Sequence, residues 1–161
     1  MIEIPLKDDK RFIIDDEDFE RVTVHKWYVV KTGYIMRSYS LGYFDGKQKH
    51  KTVALHRFIM GFPEGKEIDH IDRDKLNNSK KNLRIVTRSQ NNMNRDKTPH
   101  SSRFKGVCHR SRANRWEANI KINRKRVYIG LYETEIEAAL AYNQKAIELH
   151  GEYARLNEVA A

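Results

Sequence analysis

The stretch Glu67-Ile68-Asp69-His70-Ile71-Asp72 sets a carboxylate beside an imidazole, with Asn82 beyond the polar segment that follows and Asn91 further along the chain. Hydrolysis of a phosphodiester needs a base to deprotonate water, positive charge on the phosphoryl oxygens and a stabilised leaving oxygen. Asp, His and Asn can supply or recruit those parts. Histidine suits the base, because an imidazole with an ordinary pKa of about 6.5 is largely neutral at physiological pH and can still take a proton. Asp and Asn offer hard oxygen atoms that suit Mg²⁺ or Mn²⁺, with water and substrate filling the remaining positions. By spacing alone the same residue types are also ordinary turn formers, so a purely structural loop stands beside the chemical reading.

Elements must position these groups. Glu67 to Ile71 and Leu83 to Thr87 read as brief strands separated by a loop rich in Asp, Asn and Lys. Ser89 can cap a helix running to about Asn94, its hydroxyl accepting from an orphan backbone N–H. The result is strand, loop, strand, helix. Upstream, Phe12 to Ile14 and Trp27 to Met36 read as strands, with an acidic helical turn from Asp16 to about Val22. Val53 to Phe62 reads as a strand end followed by a short helix.

A second pattern begins after Asp96-Lys97-Thr98-Pro99-His100-Ser101-Ser102, a run of breakers and small polar residues that reads as a linker. Trp116, Ala118, Ile120 and Ile122 alternate with Arg115, Glu117, Asn119 and Lys121, giving one apolar and one polar face. Asn123-Arg124-Lys125 reads as a turn, after which Val127, Ile129 and Leu131 continue the alternation. That is a hairpin, with Phe104 to Arg110 as a third strand. Thr134-Glu135-Ile136-Glu137 has the form of a capping box, and Ile136, Ala139, Leu140, Asn143, Ala146 and Ile147 follow at helical spacing. His150-Gly151 should end that helix.

Composition bounds the partners. The 161 residues carry 31 Lys+Arg against 22 Asp+Glu, a formal charge of +9. Between Lys97 and Arg126 the only acid is Glu117. An anionic partner, nucleic acid first, follows from that balance. Cys108 is the only cysteine, which excludes an intramolecular disulfide and a cysteine-rich zinc site. No apolar run approaches the roughly 18 residues of a membrane span, and the opening Met1-Ile2-Glu3-Ile4-Pro5 lacks the order of a signal peptide. A cytoplasmic setting, in a bacterial or phage-infected cell, is the expectation.

The segments Leu55-His56-Arg57, Asp69-His70-Ile71-Asp72, Asn77-Asn78, Asn82-Leu83-Arg84 and Val86-Thr87-Arg88-Ser89-Gln90-Asn91 together resemble the HNH endonuclease family, in its homing-endonuclease branch with Asn at the third motif position. The resemblance implies a ββα-metal fold. It makes His70 the general base, Asp69 and Asn91 the ligands of one divalent metal, and Asn82 the residue that holds the loop and orients the histidine through a hydrogen bond. The implied products carry 5′-phosphate and 3′-hydroxyl ends. Asp72 is expected to be a turn acid and His56 a packed or capping histidine.

Downstream, Phe104-Lys105-Gly106-Val107, Arg115-Trp116-Glu117-Ala118-Asn119-Ile120, Val127-Tyr128-Ile129-Gly130-Leu131-Tyr132, Glu137-Ala138-Ala139-Leu140-Ala141-Tyr142 and Ala154-Arg155-Leu156-Asn157 resemble the Apetala/ethylene-response-factor (AP2/ERF) DNA-binding domain. That resemblance implies a three-stranded sheet in the major groove with a helix packed behind it. Arg110, Arg115, Asn119, Lys121, Arg126 and Tyr128 are the expected DNA contacts. Trp116, Val107, Ile120, Ile129, Ala139 and Leu140 are expected in the core. Cys108 and Tyr128 stand where the plant domains have Arg and Trp, so the plant target sequence does not carry over. The leader, including His25-Lys26-Trp27-Tyr28, resembles the stretch that precedes HNH modules in phage-type mobile endonucleases. It is expected to pack beside the nuclease module and to add DNA contacts through Lys31 and Arg37.

The expected fold class is α+β: a ββα-metal nuclease module followed by a three-stranded antiparallel sheet packed on one helix. Residues 1–50 form the leader, 51–95 the HNH module, 96–103 the linker and 104–161 the AP2/ERF-like domain. The expected function is a metal-dependent, site-preferring DNA endonuclease acting on double-stranded DNA as a monomer or homodimer, with Mg²⁺ or Mn²⁺ and no small-molecule cofactor. One HNH centre per chain implies nicking by a monomer. The main alternative is a non-catalytic DNA-binding transcriptional regulator with a decayed HNH module; a binder of structured RNA is a third.

Overall fold

The computed structural model of the chain describes residues 1–7, 9–96, 101–122 and 125–159. The chain divides into two compact units, Met1–Thr87 and Arg88–Ala161. The linker expected at 96–103 and the turn expected at 123–125 fall partly outside the described residues.

In the first unit β1 (Ile2–Pro5) pairs with β2 (Arg11–Ile14), and a 3₁₀ turn at Asp16–Asp18 leads into α1 (Phe19–Thr23). A second antiparallel sheet has the order β3 (Tyr28–Val29), β4 (Ile35–Phe44), β5 (Lys47–Ala54). The continuous strand expected from Trp27 to Met36 is interrupted by a tight turn, in which Gly33 N donates to Val30 O and Val30 N to Tyr34 O. Strand β5 runs directly into α2 (Leu55–Ile59), and β6 (Glu67–His70) then pairs antiparallel with β7 (Leu83–Val86). Phe12, Ile14, Val22, Ile35, Leu55, Ile59, Ile68 and Leu83 form one buried cluster. The leader and the β6–β7 hairpin therefore share a single core, which is what fixes the hairpin in place.

The acidic opening has a structural task. Asp18 is buried and accepts from Arg21 Nε at 2.6 Å, Glu17 pairs with Lys80, and Asp15 Oδ2 accepts from Lys80 N at 2.7 Å. Asn78 N donates to Ile13 O and Ile13 N to Leu76 O, both at 2.8 Å, so the segment before β7 lies along β2 as a parallel bridge. Arg37 lays its guanidinium over the rings of Trp27, Tyr39 and Phe58. That stacking against three rings, with Nε buried, gives Arg37 a packing role beside the DNA contact expected of it. Lys31 is exposed.

The second unit opens with α3 (Arg88–Asn94), so Ser89 lies within the helix rather than at its cap. The three-stranded antiparallel sheet follows, with β9 (Arg115–Ile122) between β8 (Val107–Arg110) and β10 (Lys125–Tyr132). Strand β8 begins at Val107, later than expected, because Gly106 takes a φ of 75°. A Cβ there would run into the Tyr142 ring and the Asn119 carbonyl. Helix α4 (Glu135–His150) packs on the sheet and starts with the expected capping box: Thr134 Oγ1 accepts from Glu137 N and Glu137 Oε2 from Thr134 N, both at 3.1 Å.

The buried side of α4 is made of Ala138, Ala139, Tyr142, Ala146 and His150. Leu140, expected in the core, is 52% exposed, and Ile136 and Ile147 are exposed as well. Small side chains let the helix lie close to Ala118 and Ile120 of the sheet, and the larger apolar residues are left outside. Val107, Ile120 and Ala139 are buried, and Trp116 and Ile129 pack against them. No helix among the described residues is long and apolar enough to cross a membrane.

Candidate functional site

The β6–β7 register sets Asp69 opposite Arg84 and His70 opposite Leu83. Asp69 and His70 retain only 7% and 5% of their surface. Arg84 Nε and Nη2 donate to Asp69 Oδ2 at 3.0 and 2.7 Å, a charge-assisted pair largely shielded from water.

The segment between the strands is organised around Asn77, Asn78 and Asn82. Asn78 is 1% exposed; its Nδ2 donates to Lys75 O and Leu76 O, and its Oδ1 lies 3.2 Å from His70 Nε2. Two main-chain acceptors fix which way the amide points, so oxygen faces the ring. The neutral imidazole must then carry its proton on Nε2, which makes Nδ1 the nitrogen able to receive another.

Asn82 does different work. Its Nδ2 donates to Asp72 Oδ1 and Asn77 O at 2.8 and 2.7 Å, and its Oδ1 accepts from Asp72 N at 3.0 Å. It closes the loop, as expected, but its side chain bonds Asp72 and Asn77; the imidazole bond expected of it comes from Asn78. Asp72 accepts from Asp74 N and Asn77 Nδ2 and is the expected turn acid.

Burial pushes the His70 imidazole below the ordinary histidine range, against the Asn78 bond and the carboxylates of Asp72, Asp69 and Asp74. His56 packs edge-on to His70, with ring centroids 5.3 Å apart, and against Tyr34. Burial, with the charges of His70 and Arg57 adding to it, pushes His56 down to about 3. An imidazole kept neutral in this way adds no competing charge beside His70.

Asn91 sits half-buried on α3 in the second unit. Among the described residues no three His, Cys, Asp or Glu side chains converge as a metal cage. Asp69 and Asn91 each carry an oxygen donor of the kind that suits a hard divalent ion, and they fall in different compact units.

The second unit presents a polar sheet face. Cross-strand pairing places Arg110 opposite Arg115, Lys121 opposite Arg126, and Asn119 opposite Tyr128, so the six expected contacts share the side turned away from α4. Glu117 lies among them. Arg110 Nε and Nη2 donate to its two oxygens at 2.7 and 2.8 Å, and Asn119 Nδ2 lies 3.5 Å from Oε1. The bond from Arg110 holds the Glu117 carboxyl below the usual range. Sequence reasoning missed Asn78, Arg84 and Glu117 as organising residues; the Asn77-Asn78 pair and the strand position of Arg84 were the available signals.

These are the parts of a nuclease module joined to a DNA-binding module. Residues 53–93 match the family described as HNH endonuclease, and residues 102–152 match the AP2 domain. An uncharacterized HNH endonuclease of Acanthamoeba polyphaga mimivirus is 38% identical over 144 residues, covering 86% of this chain and 70% of the relative. The chain belongs to the HNH endonuclease family. A protein named as an SPbeta prophage-derived HNH homing endonuclease, from Bacillus subtilis, is 36% identical over 73 residues, 42% of this chain and 40% of its own. The AP2 side is similar to APETALA2-like protein 2 of Oryza sativa subsp. indica, 42% identical over 59 residues, 35% of this chain and 13% of that one.

Proposed function

We propose that the chain is a site-preferring, metal-dependent DNA endonuclease in which residues 51–95 cut and the AP2 sheet positions the cut on duplex DNA. The observation that carries this reading is the Asn78–His70 bond, which sets the orientation and tautomer of the buried imidazole, with Nδ1 the nitrogen that would act as the base. His70 Nδ1 takes a proton from water, the water oxygen bonds to phosphorus, and the bond to the 3′ oxygen breaks, that oxygen leaving with the bonding pair and taking a proton from a solvent water. The products are 5′-phosphate and 3′-hydroxyl ends.

Asp69 and Asn91 are the residues that would hold one divalent ion, Mg²⁺ or Mn²⁺. When bound, the ion supplies positive charge at the phosphoryl oxygens and the leaving oxygen. Arg110, Arg115, Asn119, Lys121, Arg126 and Tyr128 would face the DNA groove, guanidinium forks on phosphate or guanine and the amide on a base edge. Tethering the sheet to the nuclease raises the effective concentration of the scissile bond near His70.

One observation favours a second reading. Arg84 sits on the same carboxylate that the nuclease needs for its ion, so a chain in which Arg84 replaces the ion would bind DNA as a regulator without cutting it. Supercoiled plasmid carrying DNA from the gene's own neighbourhood, incubated with wild type and His70→Ala in Mg²⁺, Mn²⁺ or EDTA, separates the two. Nicking that requires metal and His70 supports the nuclease; salt-sensitive binding without cleavage supports the regulator.

A further inference from the structure

Strands β4 and β5 continue well beyond the core. Every residue from Ser38 to Thr52 is exposed, and the ribbon turns at Asp45-Gly46 with φ of 51° and 69°. Two positive φ values in a two-residue loop are those of a type I′ turn, whose twist matches paired strands. With a rise of about 3.4 Å per residue the ribbon projects roughly 20 Å.

Its two faces differ. Pairing of Lys47 with Phe44, Lys49 with Gly42 and Lys51 with Tyr39 puts all three lysines on one face with two aromatic rings. Lys49 Nζ lies 5.1 Å from the centre of the Phe44 ring. The other face carries Ser38, Ser40, Tyr43, Gln48, His50 and Thr52, with Gln48 Nε2 donating to Ser40 Oγ at 3.3 Å. Asp45, at the tip, is the one acid between Ser38 and Thr52. Neither family match reaches this segment, since the first begins at residue 53.

A two-stranded ribbon exposed on both faces is marginal in isolation, and its open edges invite pairing with other strands. This one nevertheless exposes Tyr43 at 75% and Phe44 at 49% of their surface. A row of lysines at alternate positions of a regular strand is a preset line of positive charge. The rings beside it offer apolar contact of the kind that sugar edges and thymine methyls accept.

We propose that the β4–β5 ribbon is an additional DNA-binding element, laying Lys47, Lys49 and Lys51 along the phosphates of duplex DNA with Tyr39 and Phe44 against the sugars. This rests on the reading of duplex DNA as the substrate. The ribbon leads directly into α2, so its grip bears on the nuclease unit itself, independently of the AP2 sheet.

The test measures binding of a mixed-sequence 40-bp DNA duplex by the full chain in EDTA, over a range of salt. K47Q/K49Q/K51Q should weaken binding at about 0.1 M salt by roughly 10- to 100-fold and flatten the slope of log K against log salt by about 2 to 3. K7Q/K10Q/K66Q makes the same charge change at other exposed lysines of the unit and should move both far less. Circular dichroism should show both variants folded. Equal losses in the two triple variants would reduce the effect to net charge and overturn the proposal. An unchanged slope in the ribbon variant, with self-association on concentration, would assign the lysines to edge protection and also overturn it. A larger loss for a 40-bp RNA duplex than for DNA would make the ribbon an RNA element instead. Failure of wild type to bind any duplex would sink the DNA reading as a whole, which distinguishes it from failure of the ribbon alone.

Discussion

Asn78 holds His70 from a buried position: its side-chain oxygen lies 3.2 Å from the ring Nε2, while its amide nitrogen is spent on the carbonyls of Lys75 and Leu76. With only 1% of its surface exposed, Asn78 is closed off from any bound substrate and acts through the ring, as a positioning residue. Asn78→Ala should reduce nicking on the order of 10- to 100-fold, because a small misplacement of the base is costly. Duplex affinity should stay near wild type, and stability should fall by about 1–3 kcal/mol for the buried partners left unpaired. Single-turnover nicking at saturating protein, beside filter binding, reads the two separately.

Arg84 neutralises Asp69 where little water reaches either. Arg84→Met keeps the length of the side chain and removes the charge, leaving a buried carboxylate without that partner. Urea unfolding in EDTA should show a loss of about 2 kcal/mol or more. Adding Mg²⁺ or Mn²⁺ should recover more stability in this variant than in wild type, since the ion can take over the vacated charge. Equal recovery in both would argue against Asp69 as a ligand.

The buried imidazole of His56 couples folding to pH. Unfolded, it takes a proton at its ordinary value of 6.5; folded, it stays neutral down to about 3. Below pH 6.5 the unfolded chain therefore binds more protons, and stability is lost as pH falls through that window toward about 3. By pH 5 the loss should reach roughly 1–2 kcal/mol. His56→Phe removes this part of the acid sensitivity. Unfolding midpoints at about pH 7.5 and pH 5 should lie closer together in the variant than in wild type.

Glu117 restrains the basic face by occupying Arg110 and touching Asn119. Glu117→Gln removes the charge that holds the guanidinium. Affinity for mixed-sequence duplex should rise about 3- to 10-fold, with a salt slope steeper by up to about 1. Preference for a cognate site should relax, because Arg110 is no longer held in one orientation. Binding curves on selected and scrambled duplexes decide it.

The sequence was most legible where one physical signal was unopposed. The strands around Asp69 and Leu83 emerged within a residue of their observed ends, and the capping box at Thr134 marked the start of α4. The alternation from Arg115 to Ile122 separated the two faces of the second sheet. The β4–β5 ribbon escaped because both of its faces are wet, so no period-2 apolar pattern exists to find; only Asp45-Gly46 announced it. The buried face of α4 was misjudged because size was read as burial, whereas close packing on a sheet favours alanine over leucine. Asn78 lay beside the better-known motif positions, and its bond to the ring is a matter of loop path, which composition does not encode.

The contacts of Ile13 with Leu76 and Asn78, and of Asp15 with Lys80, set the smallest piece of this chain that can hold the loop. The segment that matches the HNH family, residues 53–93, omits the strand on which its own histidine-orienting loop is laid. A graft beginning at residue 53 would leave the main-chain groups of residues 76, 78 and 80 without these partners, and Ile68 and Leu83 without most of their core. A fragment meant to keep the loop in this conformation must therefore reach back to β1, so the leader is part of the smallest unit that carries the His70 environment.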